Sequence, residues 1–142
     1  MAVASLCGIG RLRPAPGTWA SAAVLPAALL GPWWCLALGI GFSVAGVWAV
    51  SRLPEAQDDP GWVVADEAAG QCLALAALPM GASGWWVLAG FALFRAFDIL
   101  KPGPVGWADR MSGNLGVMLD DILAGLLAAS ALLALRVAGA AG

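Results

Sequence analysis

The sequence predicts an all-α helical bundle embedded in a membrane, and three observations predict it. Charged residues make up 11% of the 142-residue chain and the mean hydropathy is +0.86, whereas soluble domains carry roughly 25% charge. The runs from Pro14 to Ser51 and from Ala68 to Phe94 hold no charged residue, and each exceeds the ~20 residues a helix needs to cross a bilayer. Eight tryptophans fall near the ends of these runs, where an indole keeps its apolar body in lipid and its N–H in the polar interface. The chain reads as a single membrane-embedded domain over residues 1–142, without repeat or linker. No nucleic-acid partner is expected.

Taken in order, the N-terminus M-A-V-A-S-L-C-G-I-G-R-L-R lacks a basic start followed by a long apolar region, so it does not read as a cleaved signal peptide. Residues 8–18, G-I-G-R-L-R-P-A-P-G-T, form a Gly- and Pro-rich loop in which backbone amides, Arg11 and Arg13 can meet an anion. The alternative is a basic leader that anchors the first helix. From about Thr18 to Leu30 the pattern is helical but short and contains Pro26. This segment is therefore expected to be tilted, partial or re-entrant, with its short end covered by protein.

Gly31-Pro32 breaks the chain, and a second helix is expected from Trp33 to Val50. Ser51 to Val64 is the main polar loop and leads to Asp66-Glu67, where a third helix begins and runs to about Leu78. A fourth is expected from about Trp85 to Leu100, ended by Lys101-Pro102-Gly103-Pro104 because proline cannot sustain interior helical hydrogen bonds. A short amphipathic stretch around Trp107 to Met111 precedes the last helix, from about Asn114 to Val137. Five membrane segments result. They put the turns at Gly31-Pro32 and Pro79 to Gly84 on one side and every charged residue except Arg136 on the other. Arg11, Arg13, Arg52, Lys101 and Arg110 in loops or at helix ends make that charged side the cytoplasmic one.

Carboxylates beside lipid-length apolar sequence mark a functional site. Asp120 shares a helical stripe with Gly116, Ala124 and Ala128, and Asp121 shares one with Val117, Gly125 and Ala129. Small residues let another helix approach, so both carboxylates are expected to face protein or a polar cavity. Neighbouring anions repel unless a cation sits with them. Asp66-Glu67 is a second such pair, with Gly70 one turn later. Two acidic pairs from different helices match the hard oxygen ligands that Mg²⁺ takes. Read alone, Asp66 could instead be a helix N-cap and Glu67 a first-turn residue favoured by the helix dipole.

Asp98 and Lys101 are neighbours at a helix end, either as an i, i+3 ion pair or as a metal- or water-activating carboxylate beside a phosphate-binding ammonium. Arg95 is a candidate phosphate clamp because its planar fork binds two oxygens. Asp109 and Arg110 could be a solvated pair. With no histidine in the chain, imidazole bases and His-ligated metals are excluded. The three cysteines, at 7, 35 and 72, have no metal-ligand or disulfide spacing. Cys7 and Arg13 satisfy the Cys-x5-Arg spacing of cysteine-dependent phosphatases, a reading that leaves the buried carboxylates unexplained. A small divalent-cation transporter would also place carboxylates in helices, but it needs polar residues across the membrane, and the opposite halves are nearly all Ala, Leu, Val, Gly and Trp. A noncatalytic scaffold would leave the two acidic pairs without a purpose.

Four segments carry a resemblance: A-P-G-T-W-A-S at 15–21, V-V-A-D-E-A-A-G at 63–70, F-R-A-F-D-I-L-K-P-G-P at 94–104 and G-N-L-G-V-M-L-D-D-I-L-A-G at 113–125. Together and in this order they resemble the phosphatidylglycerophosphatase A family. The resemblance implies a Mg²⁺-dependent phosphoric monoester hydrolase of the bacterial inner membrane. Its substrate would be phosphatidylglycerophosphate, entering from the bilayer, and its products phosphatidylglycerol and phosphate. Another lipid phosphomonoester is the alternative substrate. Asp66, Glu67, Asp120 and Asp121 are the expected metal ligands, and with Asp98 they form the expected catalytic set. Arg11, Arg13, Thr18, Arg95 and Lys101 are the expected substrate-binding residues, with capping of the first helix as the alternative role of Thr18.

Overall fold

The computed structural model describes residues 1–56 and 60–140, so positions 57–59 of the expected polar loop lie outside the described residues. Every regular element among those described is helical: α1 (Pro16–Ala23), α2 (Pro32–Ser51), α3 (Ala65–Leu75), α4 (Gly84–Leu100), α5 (Pro104–Asp109) and α6 (Asn114–Ala140). Short 3₁₀ turns occupy Ile9–Arg11, Leu25–Leu30 and Pro54–Ala56.

Proline starts three of the helices, with Pro16, Pro32 and Pro104 in the first turns of α1, α2 and α5. There its missing N–H costs no hydrogen bond and its fixed φ suits the helix. Farther along, Pro26 has the opposite effect. The segment that begins as α1 tightens to 3₁₀ over Leu25–Leu30, in line with the short, interrupted first segment expected. At the end of α4, Lys101 adopts a left-handed conformation (φ 48) just ahead of Pro102, and the helix stops there.

The third helix is shorter than the sequence predicts. It ends at Leu75 rather than near Leu78, because the Ala77 and Leu78 N–H groups turn back to Ala74 and Leu75 at 3.2 and 3.0 Å and lead the chain into Pro79. Arg136 holds that turn by donating to the Ala77 carbonyl at 2.6 Å. At 11 residues, α3 is only about 16 Å long. All of its residues except Glu67 are buried. It is the inner helix of the bundle, packed chiefly on α6 and α2, with α1 and α4 against it as well.

Glycines make that packing possible. A Cβ on Gly70 would meet the Asp121 carbonyl and the Phe94 ring, and one on Gly125 would meet the backbone of Gly70. The backbones of α3 and α6 therefore touch. On the other side of the bundle, α2 presents Gly39 to Leu73 and Gly46 to Met118.

Two helices are long and apolar enough to cross a membrane, Pro32–Ser51 and Asn114–Gly139, with mean hydropathies of 1.7 and 2.0. Only 28% and 22% of their most apolar windows are buried inside the protein, unlike the core helix of a soluble fold. Leu36, Ile40, Val44 and Trp48, four residues apart on α2, form an exposed apolar stripe, the kind of surface that marks a membrane- or partner-facing side. Trp33, Trp34 and Trp85 are exposed at the starts of α2 and α4, and Trp48 near the end of α2.

The two ends of the bundle differ. Gly31 lies against Met80, so the two uncharged turns meet at one end, where Arg136 also binds Ala77. At the other end the N-terminal segment docks on the start of α3: the Ala4 carbonyl accepts from the Val64 and Ala65 N–H groups at 2.8 and 3.2 Å. That carbonyl supplies a backbone cap where Val64, the N-cap, offers no side-chain bond.

Because Gly125 has no space for a side chain whereas Gly41 has nothing within 4 Å, Gly125→Ala is expected to destabilise the protein by about 1–3 kcal/mol. Gly41→Ala should leave stability unchanged or slightly raised. Thermal unfolding in detergent checks both, and equal effects would contradict the α3–α6 contact.

Candidate active site

Asp66 and Glu67 occupy the first turn of α3, and Asp120 and Asp121 the second turn of α6. The close contact at Gly70 and Gly125 lies one turn farther along each helix, four residues after Asp66 and Asp121. It fixes how near the acidic residues come. Oxygens of Asp66, Glu67 and Asp121 lie within 4.8 Å of one another, a spacing that can hold a metal ion. Asp66 and Asp121 are buried, at 5% and 4% exposure. Glu67 Oε2 and Asp121 Oδ1 are buried with no hydrogen-bond partner among the described residues. Buried carboxylate oxygens are costly unless a hydrogen bond or a cation satisfies them.

The first helix closes over this cluster. Gly17, in the first turn of α1, has no room for a side chain because the Glu67 carboxylate lies against it. Thr18 follows on the same turn, half-buried. Asp66 is not the N-cap; it is the second residue of α3, and its Oδ1 accepts the Glu67 N–H at 3.1 Å.

Asp120 turns to a different partner. Lys101 reaches it at 2.9 Å and also pairs with Asp109, which α5 brings alongside by packing on α6. Burial alone would lower the Lys101 pKa, but its hydrogen bonds and charge contacts with Asp109 and Asp120 outweigh that and raise it above the ordinary lysine value. Lys101 therefore stays cationic across the physiological range. Asp98 pairs not with Lys101 but with Arg95, at 2.5 Å. The Arg95 Nε is buried and lacks a hydrogen-bond partner among the described residues.

Arg11 and Arg13 stand apart from these pairs. Both are exposed and line a cavity of about 460 Å³ together with Pro16 and Trp62. Cys7 is exposed and is not among the residues lining that cavity. Cys35 and Cys72 are fully buried.

Sequence reasoning missed Gln71. It is fully buried one turn after Glu67, with neither amide atom bonded among the described residues. The available signal was one amide in an otherwise small and apolar stretch of α3. Ser21 was also missed; it is buried on α1 and donates to the Gly17 carbonyl at 2.9 Å.

Comparison with known proteins agrees with this arrangement of motifs. The family described as Phosphatidylglycerophosphatase A matches residues 2–136. A protein of Haemophilus influenzae named Phosphatidylglycerophosphatase A is 37% identical over 91% of this chain and 83% of its own length. The Escherichia coli protein of the same name is 37% identical over 88% of this chain and 76% of its own. A Bacteroides thetaiotaomicron protein named Putative phosphatidylinositol-3-phosphatase is 44% identical over 66% of this chain, which spans 60% of that relative. No solved structure matches. With a family match covering almost its whole length, the chain belongs to the phosphatidylglycerophosphatase A family.

Proposed function

We propose that this chain is a Mg²⁺-dependent lipid phosphatase that hydrolyses phosphatidylglycerophosphate to phosphatidylglycerol and phosphate. The observation that carries the metal assignment is the convergence of Asp66, Glu67 and Asp121 within 4.8 Å, two of them with a buried oxygen that no described residue satisfies. Three hard oxygen donors from two helices fit a small divalent cation whose other positions go to water and phosphate. Asp66, Glu67 and Asp121 would hold the ion, and Asp120, paired with Lys101, would position its neighbour and keep the ammonium beside the cluster. When bound, the ion supplies charge neutralisation of the phosphoryl group and a more acidic water.

The chain's own residues do the rest. Arg95, oriented by Asp98 at 2.5 Å, binds non-bridging oxygens as charge spreads over them. Thr18, next to the glycine that faces Glu67, offers a hydroxyl to the same group. Water attacks phosphorus, the bond to the glycerol oxygen breaks, and that oxygen leaves with a proton.

The acyl chains remain in the bilayer. In this reading the helices make five membrane segments, the first formed by α1 and its 3₁₀ extension, which run from Gly17 at the acidic end to Gly31 at the far end, and the third, α3, enclosed by the others. The acidic end faces the cytoplasm of a bacterial inner membrane, because Arg11, Arg13, Arg52, Lys101 and Arg110 follow the positive-inside rule. Arg136 is the one charged residue described at the far end, and a path for transported cations would need more.

A second headgroup has a specific observation in its favour: the Bacteroides relative, 44% identical over 96 residues, is named for phosphatidylinositol 3-phosphate. Phosphate release by the purified protein from each lipid separates the two readings. Faster turnover of phosphatidylglycerophosphate is expected, and a clear preference for phosphatidylinositol 3-phosphate would replace it. Chelator should abolish release and Mg²⁺ restore it. Asp121→Asn is expected to lower kcat roughly hundredfold or more with normal expression. Retained activity in that variant would overturn the carboxylate assignment.

A further inference from the structure

Of the seven basic residues, Arg110 is exposed at the end of α5, and the other six differ in their partners. Arg95 is paired with Asp98, and Lys101 with Asp109 and Asp120, so their charges are answered within the protein. Arg52 lies over the Trp48 ring at 5.5 Å, and Arg136 serves the opposite end. Arg11 and Arg13 have no carboxylate partner among the described residues, and both face the same cavity of about 460 Å³. Two arginines that line one concave surface, with no carboxylate partner among the described residues, offer an oxyanion guanidinium groups that can each grip it through two parallel hydrogen bonds.

The cavity's wall is closely packed, and its lining residues are chain neighbours of residues that touch or precede the carboxylates. Gly10 is pressed against the Trp62 carbonyl so closely that a Cβ could not fit. The same N-terminal segment is tied to the start of α3 through Ala4 and the Val64 and Ala65 N–H groups. The residues that follow are Asp66 and Glu67. Pro16 also lines the cavity, and its neighbour Gly17 touches the Glu67 carboxylate. One step along the chain thus separates a residue of the arginine-lined cavity from a residue in contact with the acidic cluster.

Two adjacent positions of opposite character suit a ligand with two phosphates on a short linker. We propose that the cavity of Arg11 and Arg13 holds the unreacting phosphodiester of the lipid headgroup while the terminal phosphomonoester lies at the carboxylate cluster. This rests on the phosphatase reading and adds a selection rule to it. Lipids with a phosphodiester and a separate phosphomonoester, whether the linker is glycerol or inositol, fill both positions. Phosphatidic acid, with one phosphate, fills only one.

Because the two products divide between the positions, inhibition tests the assignment. With phosphatidylglycerophosphate as substrate in mixed micelles, phosphatidylglycerol inhibits through its phosphodiester and inorganic phosphate through the carboxylate site. Arg11→Gln/Arg13→Gln is expected to weaken inhibition by phosphatidylglycerol roughly ten- to hundredfold, the effect of losing charge-assisted hydrogen bonds, and to leave inhibition by inorganic phosphate unchanged. If the double variant does not fold, Arg11→Lys/Arg13→Lys is read instead; it should show a smaller loss confined to phosphatidylglycerol. Parallel weakening of both inhibitions, or of neither, overturns the subsite while leaving the phosphatase reading intact. Failure of the unsubstituted protein to release phosphate from phosphatidylglycerophosphate overturns the phosphatase reading and the subsite with it.

Discussion

Gly70 and Gly125 bring the backbones of α3 and α6 into contact one helical turn beyond Asp66 and Asp121, and the acidic site depends on that contact. With larger residues there the helices would move apart, and a side chain's width of separation exceeds the tolerance of a carboxylate cluster whose oxygens lie within 4.8 Å. The same crossing encloses α3. Short helices with buried polar residues persist in an apolar surrounding only when protein covers them, and α2, α4 and α6 provide that cover.

Charge balance is the second constraint. Lys101 answers Asp109 and Asp120, and Arg95 answers Asp98. Packing draws Asp66, Glu67 and Asp121 together, and in the proposed mechanism a divalent cation offsets the repulsion among their carboxylates. Lys101 and Arg95 are thus counter-ions to the carboxylates around the cluster.

Much of this was legible in the chain. Acidic pairs followed four or five residues later by glycine announced a close helix crossing, and Lys101-Pro102-Gly103-Pro104 announced the end of α4. Ion-pair choice was not legible. Spacing alone allows Asp98 to meet Lys101, but the left-handed turn at Lys101 and the return of α5 along α6 take the ammonium to Asp109 and Asp120. The early end of α3 was hidden too, because Ala76, Ala77 and Leu78 continue a good helical composition and only their turn bonds and Arg136 stop it. Nor does local sequence disclose that Ala4 caps α3 from sixty residues away, since the contact is backbone to backbone.

In the proposed function Asp66, Glu67 and Asp121 form the cation site, and Asp120 pairs with Lys101. Binding of Mn²⁺ to the purified full chain without substrate, followed by electron paramagnetic resonance, decides this assignment. A site lost in Asp66→Asn and Asp121→Asn and retained in Asp120→Asn is expected. Binding that survives Asp121→Asn, or that disappears with Asp120→Asn alone while the protein stays folded, would contradict it.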